Sequence, residues 1–170
     1  MKTKNRKVSF DFDSTLSRKD VQLFARELIS KGIDVWVCTS RFSDENLTHT
    51  NWDNSDLFNV ATELGVSKKK IIFTNMRDKW EMLKEQGFIF HLDDDSWELF
   101  LINKHTKTIG ISVTNTSSWK VKCLRILKKC FKEKIINNME EDLNEFLNEL
   151  ENNEELVKLR KEYLELINNK

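Results

Sequence analysis

The sequence predicts an α/β domain with a mainly parallel sheet covered by helices on both faces, followed by a helical C-terminal extension. Three observations carry this prediction. Short β-rich runs alternate with segments of helical spacing from Val8 to Val113. The run Ile33 to Cys38 (IDVWVC) is almost continuously apolar, as a strand buried on both faces must be. From Asn137 the composition changes to Glu, Asn, Lys and Leu, and no further strand pattern occurs.

The elements follow in order. Val8 to Phe12 alternates and is β-rich, so it reads as the first strand. Ser17 to Lys31 places Val21, Phe24, Ala25, Leu28 and Ile29 at helical spacing, and Gly32 is its stop. Ile33 to Cys38 is the second strand. Arg41 to Asp56 is polar and aperiodic, hence a loop. Asp56 to Leu64 carries Leu57, Val60, Ala61 and Leu64 on one helical face before Gly65. Ile71 to Thr74 is a strand, Asp78 to Glu85 a helix ended by Gly87, Phe88 to Leu92 a strand, Ser96 to Asn103 a short helix and Thr108 to Val113 a strand. Trp119 to Ile136 is an amphipathic helix whose Val121, Leu124, Ile126, Leu127 and Phe131 face the sandwich. Met139, Leu143, Phe146 and Leu150 step by four, three and four, a coiled-coil-like stripe. Residues 137–170 therefore read as a helical extension to a domain of residues 1–136. The extension either packs on its own domain or forms a seam for a homodimer or another partner.

Composition narrows the function. The chain has 170 residues, with 28 Lys+Arg and 28 Asp+Glu, so its formal charge is zero. A globally basic surface for duplex DNA is not indicated. Cys38, Cys123 and Cys130 lack zinc-type spacing and read as buried or half-buried thiols in a reducing compartment. The basic start MKTKNRK is not followed by an apolar segment, and no run approaches membrane-spanning length. The expectation is a cytoplasmic protein with no membrane association.

In an open α/β sheet, ligands bind beyond the carboxyl ends of the strands. After the first strand come Asp11, Asp13, Ser14 and Thr15. After the second come Thr39, Ser40 and Arg41, and after the fourth come Asp93, Asp94 and Asp95. Lys79 opens the helix before that fourth strand. Two unit charges 4 Å apart repel by about 4 kcal/mol at an effective dielectric near 20. Carboxylates gathered at one rim therefore need a cation or protons. An all-oxygen set without nearby His or Cys suits a hard ion, Mg2+ first.

These residues resemble the haloacid dehalogenase-like superfamily. Asp11-Phe12-Asp13-Ser14-Thr15-Leu16 is similar to its first motif, and the strand Val35 to Cys38 ending in Thr39 to its second. Lys79 is similar to the third motif's lone Lys, and Asp93-Asp94 after FIFHL to the fourth's acidic pair. The resemblance covers residues 6–115. It implies a Rossmann-like five-stranded sheet of order 5-4-1-2-3. It also implies a phosphatase in which Asp11 attacks phosphorus and Asp13 is the general acid and base. Mg2+ is then held by Asp11, the backbone carbonyl of Asp13 and Asp93, with Asp94 in support. Thr39 binds the transferring phosphoryl group, and Lys79 offsets its charge. An acid/base Asp at position 13 favours phosphoester hydrolysis over dehalogenation. The structural alternative is that the acidic residues cap turns and helices.

Neither the stretch from Asp13 to Thr39 nor that from Thr39 to Lys79 holds a full cap domain, so the chain resembles the capless members. Their open sites suit a phosphorylated substrate such as a nucleotide, a nucleic-acid end or a phosphoprotein. The loop Phe42 to Asp56 is the expected specificity element. Ser40 and Arg41 are candidate substrate-binding residues, and His49 and Trp52 are weaker ones. His91, within a strand, reads as core. A non-catalytic member acting through its C-terminal helices is the rival reading.

Overall fold

The computed structural model describes residues 6–47, 53–114 and 118–130. Five parallel strands form one sheet: β1 (Lys7–Phe10), β2 (Asp34–Thr39), β3 (Ile71–Phe73), β4 (Phe90–Asp93) and β5 (Ile109–Ser112). Their order is β3-β2-β1-β4-β5, the one expected. The helices are α1 (Lys19–Ser30), α2 (Ser55–Leu64), α3 (Lys79–Leu83), α4 (Ser96–His105) and α5 (Ser118–Cys130). The extension from residue 137, Phe131, His49 and Trp52 lie outside the described residues.

The period-2 alternation of a strand sorts β1 into two faces. Val8 and Phe10 point one way, and Phe10 meets Phe24 of α1 and Phe90 of β4 edge-on at 6.4 and 6.0 Å. Trp119 of α5 packs edge-on against the same Phe24 at 5.2 Å, so α1 and α5 cover this face. On the other face Cys38 clusters with Leu83 of α3, Phe88 and Ile102 of α4. Both faces of the central strands are thereby buried, each full Phe or Leu burial contributing about 1.5–3 kcal/mol.

Several boundaries differ from the sequence expectation. β1 ends at Phe10, although Asp11 N–H still donates to Leu92 O at 2.8 Å. α3 ends at Leu83 because Lys84 turns extended (ψ 130°) and Glu85 is left-handed (φ 65°). The buried stripe of α5 is Trp119, Cys123, Leu124 and Leu127, whereas Val121 and Ile126 are only half-buried. Gly65 ends α2 at φ 73°, a conformation that residues with a Cβ adopt at a cost. Between Asp13 and Thr39 lies α1. Between Thr39 and Lys79 the described residues hold a short turn at Asp44–Asn46, α2, a turn at Lys68–Lys70 and β3. Among the described residues no helix is long and apolar enough to cross a membrane.

Candidate active site

All five strands run the same way, so their carboxyl ends share one rim. β1 lies between β2 and β4, which makes it the point where the strand order reverses. Ser9 is paired in register with His91, and Phe10 with Leu92. Continuing that register sets Asp11 beside Asp93. Because 9 and 11, like 91 and 93, are two residues apart, all four side chains belong to the face covered by α3 and α4.

A buried polar chain results. Ser9 Oγ lies 2.9 Å from His91 Nδ1, and His91 Nε2 lies 2.9 Å from Asp93 Oδ2. Lys79 Nζ, at the start of α3, donates to Asp93 Oδ2 at 2.6 Å and to Asp11 Oδ1 at 2.7 Å. Burial pushes the His91 imidazole down from its ordinary pKa, against the pull of Asp93. The neutral ring then donates from Nε2 to Asp93 and accepts the Ser9 hydroxyl proton at Nδ1. Asp93 also accepts from the Asp95 N–H on its other oxygen at 2.9 Å.

The charges in this chain are strongly perturbed. Burial opposes ionisation of Asp93, but the hydrogen bond from His91 and the Lys79 ammonium together hold it well below the usual carboxylate range. Asp11 goes the other way: burial and the neighbouring Asp93 outweigh Lys79 and raise it to about 7. Lys79 is itself buried, yet its two carboxylate partners keep it charged well above its ordinary range. One ammonium thus serves two carboxylates, and the second of them is held only in part.

The three consecutive aspartates have three different surroundings. Asp93 is the buried partner of Lys79. Asp95 caps α4, accepting from Trp97 N at 2.8 Å and Glu98 N at 3.3 Å, so the capping alternative holds for this residue. Asp94 is half-buried, and its Oδ1 accepts from the buried Thr15 hydroxyl at 3.3 Å. Asp11, Asp93 and Asp94 each bring one carboxylate oxygen within 4.8 Å of the others. Three carboxylates against Lys79 leave an excess of two negative charges, which fits one divalent ion on oxygen donors.

Asp13 lies outside this carboxylate cluster. The chain turns sharply after Asp11, with Ser14 at φ 55°, and Leu16 N–H returns to Asp11 O at 3.0 Å. The Asp13 side chain is 58% exposed and pairs with Arg41. Arg41 Nε donates to Asp13 Oδ2 at 2.9 Å and Nη2 to Oδ1 at 2.6 Å. The same guanidinium forks to Asp56 at 2.6 and 2.9 Å and stacks 4.7 Å from the Phe12 ring centre. These bonds raise its pKa beyond an already high value, with Asp56 the larger contributor. Thr39 is fully buried at the end of β2, and its Oγ1 accepts from Arg41 N–H at 3.3 Å. Ser40 follows, its carbonyl accepting from Met76 N–H at 2.8 Å.

Sequence reasoning missed Ser9, Asp56, Glu98 and the hydrogen-bonding of His91. Glu98 accepts the Lys79 backbone N–H at 3.0 Å and so ties α3 to α4. The signal for Ser9 and His91 was present: each stands two residues before the aspartate at the carboxyl end of its strand, hence on the same face. Asp56 and Glu98 become visible only once the loops and helices are placed. No protein-family model, no curated protein and no solved structure matches the chain.

Proposed function

We propose that the chain is a Mg2+-dependent phosphomonoester hydrolase of the haloacid dehalogenase-like type. The observation that carries this reading is the convergence of Asp11, Asp93, Asp94 and Lys79 at one rim of the sheet, with Asp13 two residues beyond. Polar carboxylates are costly to bury, and a fold tolerates such a cluster where charge on a ligand is to be handled.

Asp11 is the nucleophile. Its oxygen forms a bond to phosphorus as the bond from phosphorus to the leaving alcohol breaks, giving an aspartyl-phosphate. Asp13 donates a proton to the departing oxygen and then takes one from the attacking water. Water adds to phosphorus, inorganic phosphate leaves and Asp11 is restored. Lys79 holds Asp11 in place and offsets charge on the phosphoryl oxygens, while Thr39 and the backbone beside it face the transferring group. Asp11, Asp93 and Asp94, with the Asp13 carbonyl, are the groups that would hold Mg2+. Asp93 in addition anchors Lys79 and accepts from His91 and the Asp95 N–H. The bound ion supplies charge neutralisation and polarises phosphoryl oxygens.

Arg41 has a consequence for this cycle. It engages both oxygens of Asp13, so proton delivery requires that the fork open or shift as substrate enters. The same contact is the one observation that favours the rival reading, a non-catalytic chain that acts by binding a partner. Release of inorganic phosphate from an aryl phosphate decides between them. The hydrolase reading expects turnover with Mg2+, lost in excess chelator and in Asp11→Asn. Turnover that persists in both would end it.

A further inference from the structure

A cavity of about 390 Å³ opens beside Asp13, and neither Lys79 nor Asp93 is among its described lining residues. Its apolar walls are Phe42, Leu47 and Met76. Phe42 is 41% and Met76 68% exposed, and with Leu47 they form one apolar lining rather than scattered single side chains. Met76 is displayed by a strained backbone: Asn75 and Met76 are consecutive non-glycine residues at φ 53° and 65°. Hydrogen bonds from Met76 N–H to Ser40 O at 2.8 Å and from Ser43 N–H to Asn75 Oδ1 at 2.9 Å hold that turn against β2's loop. The fold thus maintains an unfavourable local conformation that places an apolar side chain in the cavity wall.

Charge defines what the cavity accepts. Asp13 and Asp53 line it, and Arg41 is the one cationic residue among the described residues of its wall. Arg41 is divided between Asp13 and Asp56, and its bidentate contact with Asp56 keeps its charge matched even where the contact with Asp13 opens. A leaving group that carried its own phosphates would meet the carboxylates of Asp13 and Asp53 and, among the described residues of the wall, no unmatched counter-ion. A polyanionic nucleic-acid end is therefore a poor fit, whereas an uncharged apolar group is a good one.

We infer that this cavity is the leaving-group subsite, and that the preferred substrate is a phosphomonoester of a compact, ring-bearing apolar alcohol with no further negative charge. The inference rests on the hydrolase reading above and narrows it. Phe42, Leu47 and Met76 take the ring, and Asp13, which lines the same cavity, serves the bridging oxygen as it departs.

Three esters of primary alcohols of similar acidity test this with the full chain and Mg2+: ethyl phosphate, 2-phenylethyl phosphate and a 5′-phosphorylated oligonucleotide. Because the leaving oxygens are alike, differences in kcat/KM report the subsite. The expected order puts 2-phenylethyl phosphate ahead of ethyl phosphate by about 10-fold or more, the scale of one well-buried apolar group, and the oligonucleotide last. Phe42→Ala, and separately Met76→Ala, lower the ratio of the first two by about 5–10-fold, on the same scale. Both positions are exposed, and an unchanged melting temperature checks their folding. Equal kcat/KM for the two small esters, a ratio unmoved in both variants, or a faster oligonucleotide overturns the subsite while leaving the hydrolase standing. No turnover of any ester overturns both.

Discussion

Asp11→Asn removes a charge from the buried cluster while keeping its shape. In the metal-free protein Asp11 is 4% exposed and shares Lys79 with Asp93. Burial first, then the Asp93 charge, raise its pKa from 3.8 to about 7, with Lys79 opposing. A carboxyl whose folded pKa lies above its unfolded value favours the fold when protonated. That contribution is complete below about pH 4 and is lost as the pH climbs through 7. The rise from 3.8 to about 7, at about 1.4 kcal/mol per pH unit, comes to about 4 kcal/mol by pH 8. Asparagine cannot ionise and avoids the loss, while Asp93 and Lys79 titrate in both proteins and largely cancel. Urea denaturation in excess chelator is therefore expected to show Asp11→Asn more stable than wild type at pH 8, by up to about 4 kcal/mol. The gap closes towards pH 4.5. Adding Mg2+ at about 100 times its dissociation constant stabilises the wild type by about 2.7 kcal/mol and leaves the variant unmoved. A difference independent of pH, or a wild type more stable at pH 8 without metal, would refute the charge assignment.

Four further outcomes follow from the same geometry. Lys79→Met leaves two buried carboxylates facing each other and is expected to cost about 3–5 kcal/mol at pH 8 in chelator, partly recovered at pH 5 where Asp11 takes a proton; an unchanged urea midpoint at pH 8 counts against it. Asp13→Asn is expected to lower kcat by about 10²–10⁴-fold on an alkyl phosphate and far less on 4-nitrophenyl phosphate, whose leaving group needs no proton. Equal losses on the two esters would remove Asp13 from the acid role. His91→Phe deprives Ser9 and Asp93 of a buried partner and is expected to cost about 1–3 kcal/mol in urea denaturation; a neutral change would show that the polar chain contributes nothing. Gly65→Ala meets no atom within 4 Å, so its expected loss of about 1 kcal/mol reports the left-handed backbone alone, read as a lowered melting temperature.

Much of the fold was legible because its signals are local. Val8, Phe10, Val35 and Val37 declare strands by alternation or continuous apolarity, and Phe24, Ala25 and Leu28 declare a helix by spacing. Ends were less legible. Nothing in Lys84-Glu85 announces that the chain leaves the helix there, since the left-handed turn at Glu85 follows from how Leu83 and Phe88 are both drawn into one core. The stripe of α5 was misassigned between Val121 and Cys123 because a Cys can be interior or surface on composition alone, and the edge contact of Trp119 with Phe24 fixes the helix rotation.

The sequence by itself determined which carboxylates stand at strand ends, because a strand's period places Asp11 after β1 and Asp93 at the end of β4 whatever surrounds them. It did not determine what each one does there. The register between β1 and β4 made Asp11 and Asp93 neighbours, α3 delivered Lys79 between them, and α4 claimed Asp95 as its cap. Arg41 was drawn away to Asp13 and Asp56 by residues 28 and 15 positions distant. Charge and hydrogen bonding act over a few ångströms in space, not along the chain, so only the assembled structure could settle these partnerships.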